Sequence, residues 1–192
     1  MKQLINIKEL CKRIKHDGKY GRMFWAKEER GHFIISGHYL VRFDELPRDV
    51  LVTLFGIFLR LPEMGKTLGF MRGDVISNIE TVDYKKIYQP EKQRVKGEVT
   101  SLIHDAGDKR IYRVVKFPDR FSFINEDYQK LLVDGHRAAV NGDAPFSPLY
   151  FANNDLMIMP MRMTSDNQDI SDLLEMLDSP DLVGKEKANG AG

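Results

Sequence analysis

The side chains that could carry out catalytic chemistry are few in this 192-residue chain, and they do not fall at catalytic spacings. Its five histidines are His16, His32, His38, His104 and His136. His32 and His38 flank one predicted hairpin, but no acidic or cysteine partner stands at metal-ligand spacing from them. Cys11 is the single cysteine, so the sequence predicts neither an internal disulfide nor a cysteine-rich metal site. We therefore expect no metal ion and no cofactor.

The sequence also lacks a complete motif for covalent catalysis or for phosphate binding. No nucleophile elbow, Walker loop or zinc-protease signature occurs in the sequence. Gly65, Lys66 and Thr67 match the end of a phosphate-binding loop, but the glycine that must precede them is missing. The sequence predicts a binding protein and not an enzyme.

A cluster of basic residues near the N-terminus could bind phosphates. Lys8, Lys12 and Lys15 fall within one arc of a predicted helix, with Arg13 at its edge. Neutralising phosphates needs no special geometry, so this face could hold duplex DNA non-specifically. The alternative is a solvated helix face, which is the commoner fate of a lysine cluster. The net charge of +1 gives no overall electrostatic drive towards nucleic acid.

The second candidate surface is the methionine-rich stretch at residues 155–163. In an extended segment Met157, Met159, Met161 and Met163 lie on one face, and apolar side chains and Pro160 lie on the other. A methionine row adapts to irregular partners, so an exposed row would suit a binding surface. The alternative is a strand buried on both faces of a core, which base rates favour.

Both candidate surfaces need elements that position them. Asn6 is predicted to cap the first helix, which has its apolar stripe at Ile7, Leu10, Cys11 and Ile14 and ends at His16, Asp17 and Gly18. Asn125 is predicted to cap a second, short helix with Tyr128, Leu131 and Leu132 on its apolar side. A third helix starts at Pro47 and ends before Pro62. Strands are predicted at residues 23–27, 32–36, 39–43, 98–104, 110–116, 149–151 and 155–163.

Two regions give weaker patterns. Residues 63–94 look like loop, with a short helix or strand at 76–87 that the pattern does not distinguish. Residues 166–178 are acidic and carry an apolar stripe at Ile170, Leu173, Leu174 and Leu177. A helix this short must dock on something, and we expect it to cover the methionine strand of its own chain or of a neighbouring subunit. We therefore predict one domain at residues 1–164, with a helical and loop insertion at 47–96. The acidic helix and a disordered tail would occupy 165–192.

The two asparagine-capped helices begin alike, and strands follow each of them. This half-repeat indicates two copies of a helix-plus-meander unit. We predict an α+β fold of antiparallel sheets with the two capped helices on one side, followed by the C-terminal acidic helix.

These residues resemble a family. Met159, Pro160, Met161 and Arg162 look like the C-terminal strand of the bacterial DNA polymerase β sliding clamp. The segments 31–33 and 36–40 look like the hairpins that follow a clamp helix. The resemblance implies a domain whose helices line a DNA channel. It also implies a peptide-binding groove at Pro160, Met161 and Arg162. Because the chain has room for one such domain, the resemblance implies a small clamp-derived protein of a phage or mobile element.

Two functions follow from these patterns. The first is a non-catalytic, clamp-like module that binds duplex DNA weakly and tethers a replication or repair partner. Its partner would bind at Met157, Met159, Pro160, Met161 and Arg162, with Leu173 and Leu174 of the tail. The alternative is a phage-encoded inhibitor or adaptor of a host protein, such as a defence-system nuclease. In either case we expect a cytoplasmic protein with no membrane partner, which could form a homo-oligomer.

Overall fold

The fold is α+β and is built around one large antiparallel sheet, as a computed structural model shows. The structure describes residues 4–71, 74–77, 93–105, 110–133, 139–142, 147–161 and 172. Its helices are α1 (Ile7–Tyr20), α2 (Arg48–Phe58) and α3 (Glu126–Gln129). Its strands are β1 (Arg22–Glu28), β2 (Gly31–Ser36), β3 (Tyr39–Phe43), β4 (Lys66–Met71), β5 (Asp74–Ser77), β6 (Val95–Asp105), β7 (Ile111–Phe117), β8 (Arg120–Asn125), β9 (Ala139–Gly142), β10 (Leu149–Phe151) and β11 (Leu156–Ile158).

The strand order shows two units meeting at the centre of the sheet. It runs β5-β4-β1-β2-β3-β11-β10-β9-β6-β7-β8. Thus α1 is followed by the meander β1–β3, α3 is followed by β9–β11, and the two meanders approach the centre from opposite sides. β3 pairs with β11 there, with Val41 opposite Leu156. The sheet therefore has the helix-plus-meander order that the half-repeat predicted on both sides of this pairing.

Backbone contacts also join the ends of the two capped helices. The Asn6 N–H donates to the Leu131 carbonyl at 2.7 Å, and the Val133 N–H donates to the Leu4 carbonyl at 2.9 Å. Ile5 and Leu132 form an antiparallel bridge between these two bonds. The start of α1 and the segment after α3 thus lie side by side.

One face of the sheet carries the main core. The buried cluster there takes Leu10 and Ile14 from α1, and Leu54 and Phe58 from α2. It also takes Leu131 from the segment after α3, so all three helical segments pack against the same cluster. A second cluster of alternate residues occupies the opposite face of the central strands: Phe24, Ala26, Phe33, Ile35, Leu40, Tyr150 and Met157.

The first helix is longer than its sequence indicated. It was expected to end at Gly18, but it continues through Tyr20, and the Gly21 N–H caps it by donating to the Asp17 carbonyl at 2.9 Å. Gly18 is a packing residue and not a terminator. A Cβ built there would lie 2.6 Å from Cδ1 of Ile57, so the glycine lets α1 and α2 approach closely.

The interpretation of residues 63–94 as mainly loop is wrong at its start. β4 and β5 form a hairpin there, and β4 pairs with β1 along six positions from Arg22–Met71 to Lys27–Lys66. Glycines obscured the pattern, yet Gly69 lies opposite Phe24 within the ladder. Strands β8 and β9 were also not predicted, since each depends on its neighbours in the sheet.

Several expectations fall on residues outside the described part of the chain. They include the acidic helix at 166–178, the tail beyond it and the segment 78–92. No helix in the part that the structure describes has both the length and the apolar character to cross a membrane.

Candidate nucleic-acid and partner-binding surfaces

The lysines of the first predicted site form an exposed row along α1. The Asn6 side chain caps this helix by accepting a bond from the Glu9 N–H at 3.2 Å. Lys8, Lys12 and Lys15 are all exposed. Because the helix continues past Gly18, Lys19 joins them, and at 3.6 residues per turn the four lysines fall within about 60° of arc. We name Lys8, Lys12, Lys15 and Lys19 the lysine row.

Arg13, which was predicted at the edge of the lysine cluster, lies outside this row. It lies about 100° or more around the helix from each of the four lysines. Its side chain is only 17% exposed, and its guanidinium lies 3.6 Å from the Asp127 carboxylate. The same guanidinium sits over the Tyr128 ring at 5.0 Å. Arg13 therefore joins α1 to α3, and much of its charge is offset within the protein.

The row keeps most of its positive charge free for a ligand. Lys12 pairs with Glu9 at 3.4 Å, and its side chain is 76% exposed. Within the described residues Lys8, Lys15 and Lys19 make no ion pair. The nearby Asp127 is held by other groups: a hydrogen bond from Lys130 lowers its pKa against the opposing effect of burial, and the charges of Lys130 and Arg13 lower it further.

The methionine stretch divides between core and surface. Its strand is limited to Leu156–Ile158, and all three residues are buried, so the prediction of a strand over 155–163 is too long. The Met157 side chain is buried in the second cluster, while Met159, just past the strand, is 43% exposed. Together they line a cavity of about 210 Å³ whose other walls include Arg22, Phe24, Ile35 and Leu40. We name this cavity the methionine groove.

The row of methionines does not continue beyond Met159. The Met159 N–H still bonds to the His38 carbonyl at 2.8 Å, but the Met161 N–H bonds to Phe123 of β8 at 2.8 Å. The Met161 side chain packs against Val114 and Phe123, away from the methionine groove. Pro160 is half-buried between these two attachments. Arg162, Leu173 and Leu174 lie outside the described residues, so their predicted roles stay predictions.

The four histidines that the structure describes do not gather into a metal site. Among the described residues no group of three or more histidine, cysteine and acidic side chains is placed to hold a metal ion. His32 lies 3.3 Å from Nε1 of Trp25, and burial, followed by the charge of Lys27, lowers its pKa. His38 instead stacks on Tyr128, with ring centroids 5.6 Å apart. His32 and His38 thus have different aromatic partners, Trp25 and Tyr128.

Two exposed residues of α1 were not among the predicted site residues. Lys19 and Tyr20 were missed because Gly18 was interpreted as the end of α1. Extending the lysine spacing by four residues would have found Lys19, since residues 15 and 19 share a helix face.

The chain was compared with protein families, curated proteins and solved structures, and no family model, no curated protein and no solved structure matches it.

Proposed function

We propose that this chain is a non-catalytic, clamp-like module that lies on duplex DNA through α1 and holds a partner protein at the methionine groove. The observation that carries the DNA part is the lysine row, in which four exposed lysines share one stripe of a single rigid helix. From Lys8 to Lys19 the row spans about 16 Å at 1.5 Å per residue. That length lets it meet several phosphates of one strand at once.

The support from the protein's charge is local. The chain carries 29 basic and 28 acidic residues, so net charge supplies no attraction to DNA. The row concentrates cations on one face, and the acidic residues nearest to it, Glu9 and Asp127, are paired with basic groups. Contacts of this kind read no base sequence, so we expect non-specific duplex binding.

The fold is consistent with a clamp-like arrangement. Both capped helices pack on one face of the sheet, which leaves the lysine row pointing away from the core. In the sliding-clamp family that residues 159–162 resemble, the helices face DNA. We propose the same orientation here.

A salt titration with matched charge reversals tests the DNA part. The test variant is Lys8→Glu with Lys15→Glu, because neither lysine has an ion pair within the described residues. The control is Lys66→Glu with Lys96→Glu, two exposed lysines on strands, which changes the net charge equally. We expect the wild-type affinity for a 30-base-pair duplex to fall steeply with salt. The test variant should bind more weakly than the wild type, and the slope of its log affinity against log salt should be smaller by about 2.

The result also identifies the competing function. The methionine groove by itself favours an adaptor or inhibitor that binds another protein and has no role on DNA, since apolar walls beside an exposed methionine suit a peptide side chain. If the wild type does not bind duplex at low salt, or both charge variants bind it as the wild type does, the DNA function is wrong and the adaptor remains.

A further inference from the structure

A polar cleft lies beside the lysine row, between the last turns of α1, the turn joining β2 to β3, and α3. Its volume is about 360 Å³, within the range of about 300–1,000 Å³ that is typical of small-ligand sites. Its lining includes Arg13, His16, Tyr20, Arg22, His38 and Tyr128. We name it the aromatic cleft.

Two pairs of aromatic rings border this cleft. His16 and Tyr20 lie one helical turn apart, with ring centroids 5.3 Å from each other. On the other side His38 stacks on Tyr128 at 5.6 Å with their planes 29° apart. Tyr20 is 70% exposed, so most of its ring is accessible. A flat ligand reaches this ring once the exposed Lys19 side chain that lies over it moves aside.

Cationic groups accompany the rings. The Lys19 ammonium lies 4.9 Å from the centroid of the Tyr20 ring, so the row of α1 reaches the cleft. Arg22 is exposed and also lines the cleft, and its guanidinium lies 5.7 Å from the centroid of the Phe24 ring. The acidic group of the cleft, Asp17, is only 17% exposed and lies 3.2 Å from Nδ1 of His16. The exposed charge at this end of the cleft is thus mainly positive.

Exposed rings interleaved with cations are what single-stranded nucleic acid needs. An unpaired base stacks on an aromatic face, and its phosphate is neutralised by a nearby arginine or lysine. A base inside a duplex cannot reach such a ring, because it is already stacked between its neighbours. Stacking on a ring therefore distinguishes unpaired from paired bases, whereas phosphate contacts such as those of a lysine row do not.

We propose that the aromatic cleft binds one unpaired nucleotide, with the base against Tyr20 and the phosphate on Arg22 and Lys19. This inference rests on the proposed DNA function and deepens it. With the lysine row on a duplex and the cleft at its end, the preferred ligand is a junction between duplex and single strand.

Fluorescence anisotropy with three labelled DNAs tests this inference: a blunt 20-base-pair duplex, the same duplex with a six-thymidine overhang, and the single strand of thymidines. The wild type is expected to bind the overhang duplex more tightly than the blunt one. Tyr20→Ala should reduce that preference by about 5- to 150-fold, the range that one lost stack implies. Arg22→Ala should reduce it as well, and Tyr20→Phe should keep it because the ring remains.

Matched controls come from α2 and the residues just after it. Phe55→Ala removes a ring that is 47% exposed, and Arg60→Ala removes an exposed arginine; both should keep the wild-type preference. Equal wild-type affinity for blunt and overhang duplexes would overturn the cleft but leave duplex binding intact. A preference that survives Tyr20→Ala would overturn it too. Failure to bind any of the three DNAs would overturn both proposals, and binding only to DNA with unpaired bases would keep the cleft and overturn the role of the lysine row on duplex.

Discussion

The two helix-plus-meander units both begin with an asparagine cap, but their helices differ greatly in length. In the first, the Asn6 side chain accepts from the Glu9 N–H at 3.2 Å and the helix runs for 14 residues. In the second, the Asn125 side chain accepts from the Asp127 N–H at 2.9 Å and the helix is 4 residues long. A cap starts a helix but does not set its length.

Packing after the cap accounts for the difference. In α1 the buried positions Leu10 and Ile14 repeat at helical spacing and anchor successive turns in the core. After α3 the buried residues Leu131 and Leu132 are adjacent in sequence, and Leu132 bridges to Ile5. The chain therefore leaves the helix to pair with the start of the first unit.

The two helices of different length also differ in what their side chains contact. The longer helix presents an outer face with the lysine row, while the shorter one supplies Tyr128, which touches Arg13, His38 and Tyr39. The first unit therefore carries the lysine row, and the second unit supplies the aromatic ring through which the two units contact each other.

The glycine at the start of β2 gives the largest expected effect on stability. Gly31 has φ +110°, and a Cβ there would lie 2.2 Å from the Phe43 carbonyl oxygen. Gly31→Ala should lower the free energy of unfolding by about 3 kcal/mol, because strained backbone and overlap with backbone add together. Urea denaturation measures it. Gly37→Ala, in the next turn, has no atom within 4 Å and is the control. Equal losses in the two variants would show that the first meander does not depend on this close approach.

The caps test the comparison between the units directly. Asn6→Ala and Asn125→Ala should each lower the free energy of unfolding by about 1 kcal/mol, since each removes one acceptor for a helical N–H. Circular dichroism should show a loss of helical signal that is larger for Asn6→Ala, because its helix is longer. Similar spectra for both variants would mean that α1 is held by its packing and that its cap contributes nothing to its length.

Measuring stability against pH tests the contact between the two units at Tyr39 and Tyr128, and we expect this test to give the smallest effect. Burial, and then the charge of Asp17, raise the pKa of Tyr39 well above its usual value of 10.0. A raised folded-state pKa gives stability that is fully present below the unfolded pKa, about 10, and is lost as pH rises towards the folded one. Tyr39→Phe should therefore change stability little at pH 7 and weaken its decline above pH 10.

The control for this titration is Tyr20→Phe, whose ring is exposed and lies outside the core. It should keep the wild-type decline. A decline that is unchanged in Tyr39→Phe would place the alkaline sensitivity in other groups, of which Tyr128, with a pKa also raised mainly by burial, is the first to examine.

Much of the local structure was predictable from patterns along the chain. The caps at Asn6 and Asn125, the meander β1–β3, the helix after Pro47 and the hairpin of β6 and β7 all follow from local signals. The exposed positions of Lys8, Lys12 and Lys15 also follow, because helical periodicity fixes which side chains share a face once Leu10 and Ile14 are buried.

Other features depended on partners that are distant in sequence. β4 becomes a strand because β1 lies beside it, despite Gly65 and Gly69. Gly18 stays helical because α2 packs against it. Arg13 joins α1 to α3 because Asp127 and Tyr128 lie within its reach. None of these neighbours can be identified from local spacing.

The sequence by itself determined the helix caps, the alternation of strands and the row of cations, because these depend on residues a few positions apart. The tertiary structure decided how long each helix runs, which methionines reach the groove and which rings meet in the cleft. Those outcomes depend on burial and pairing between segments as far apart as Arg13 and Asp127, which a close-packed core brings together.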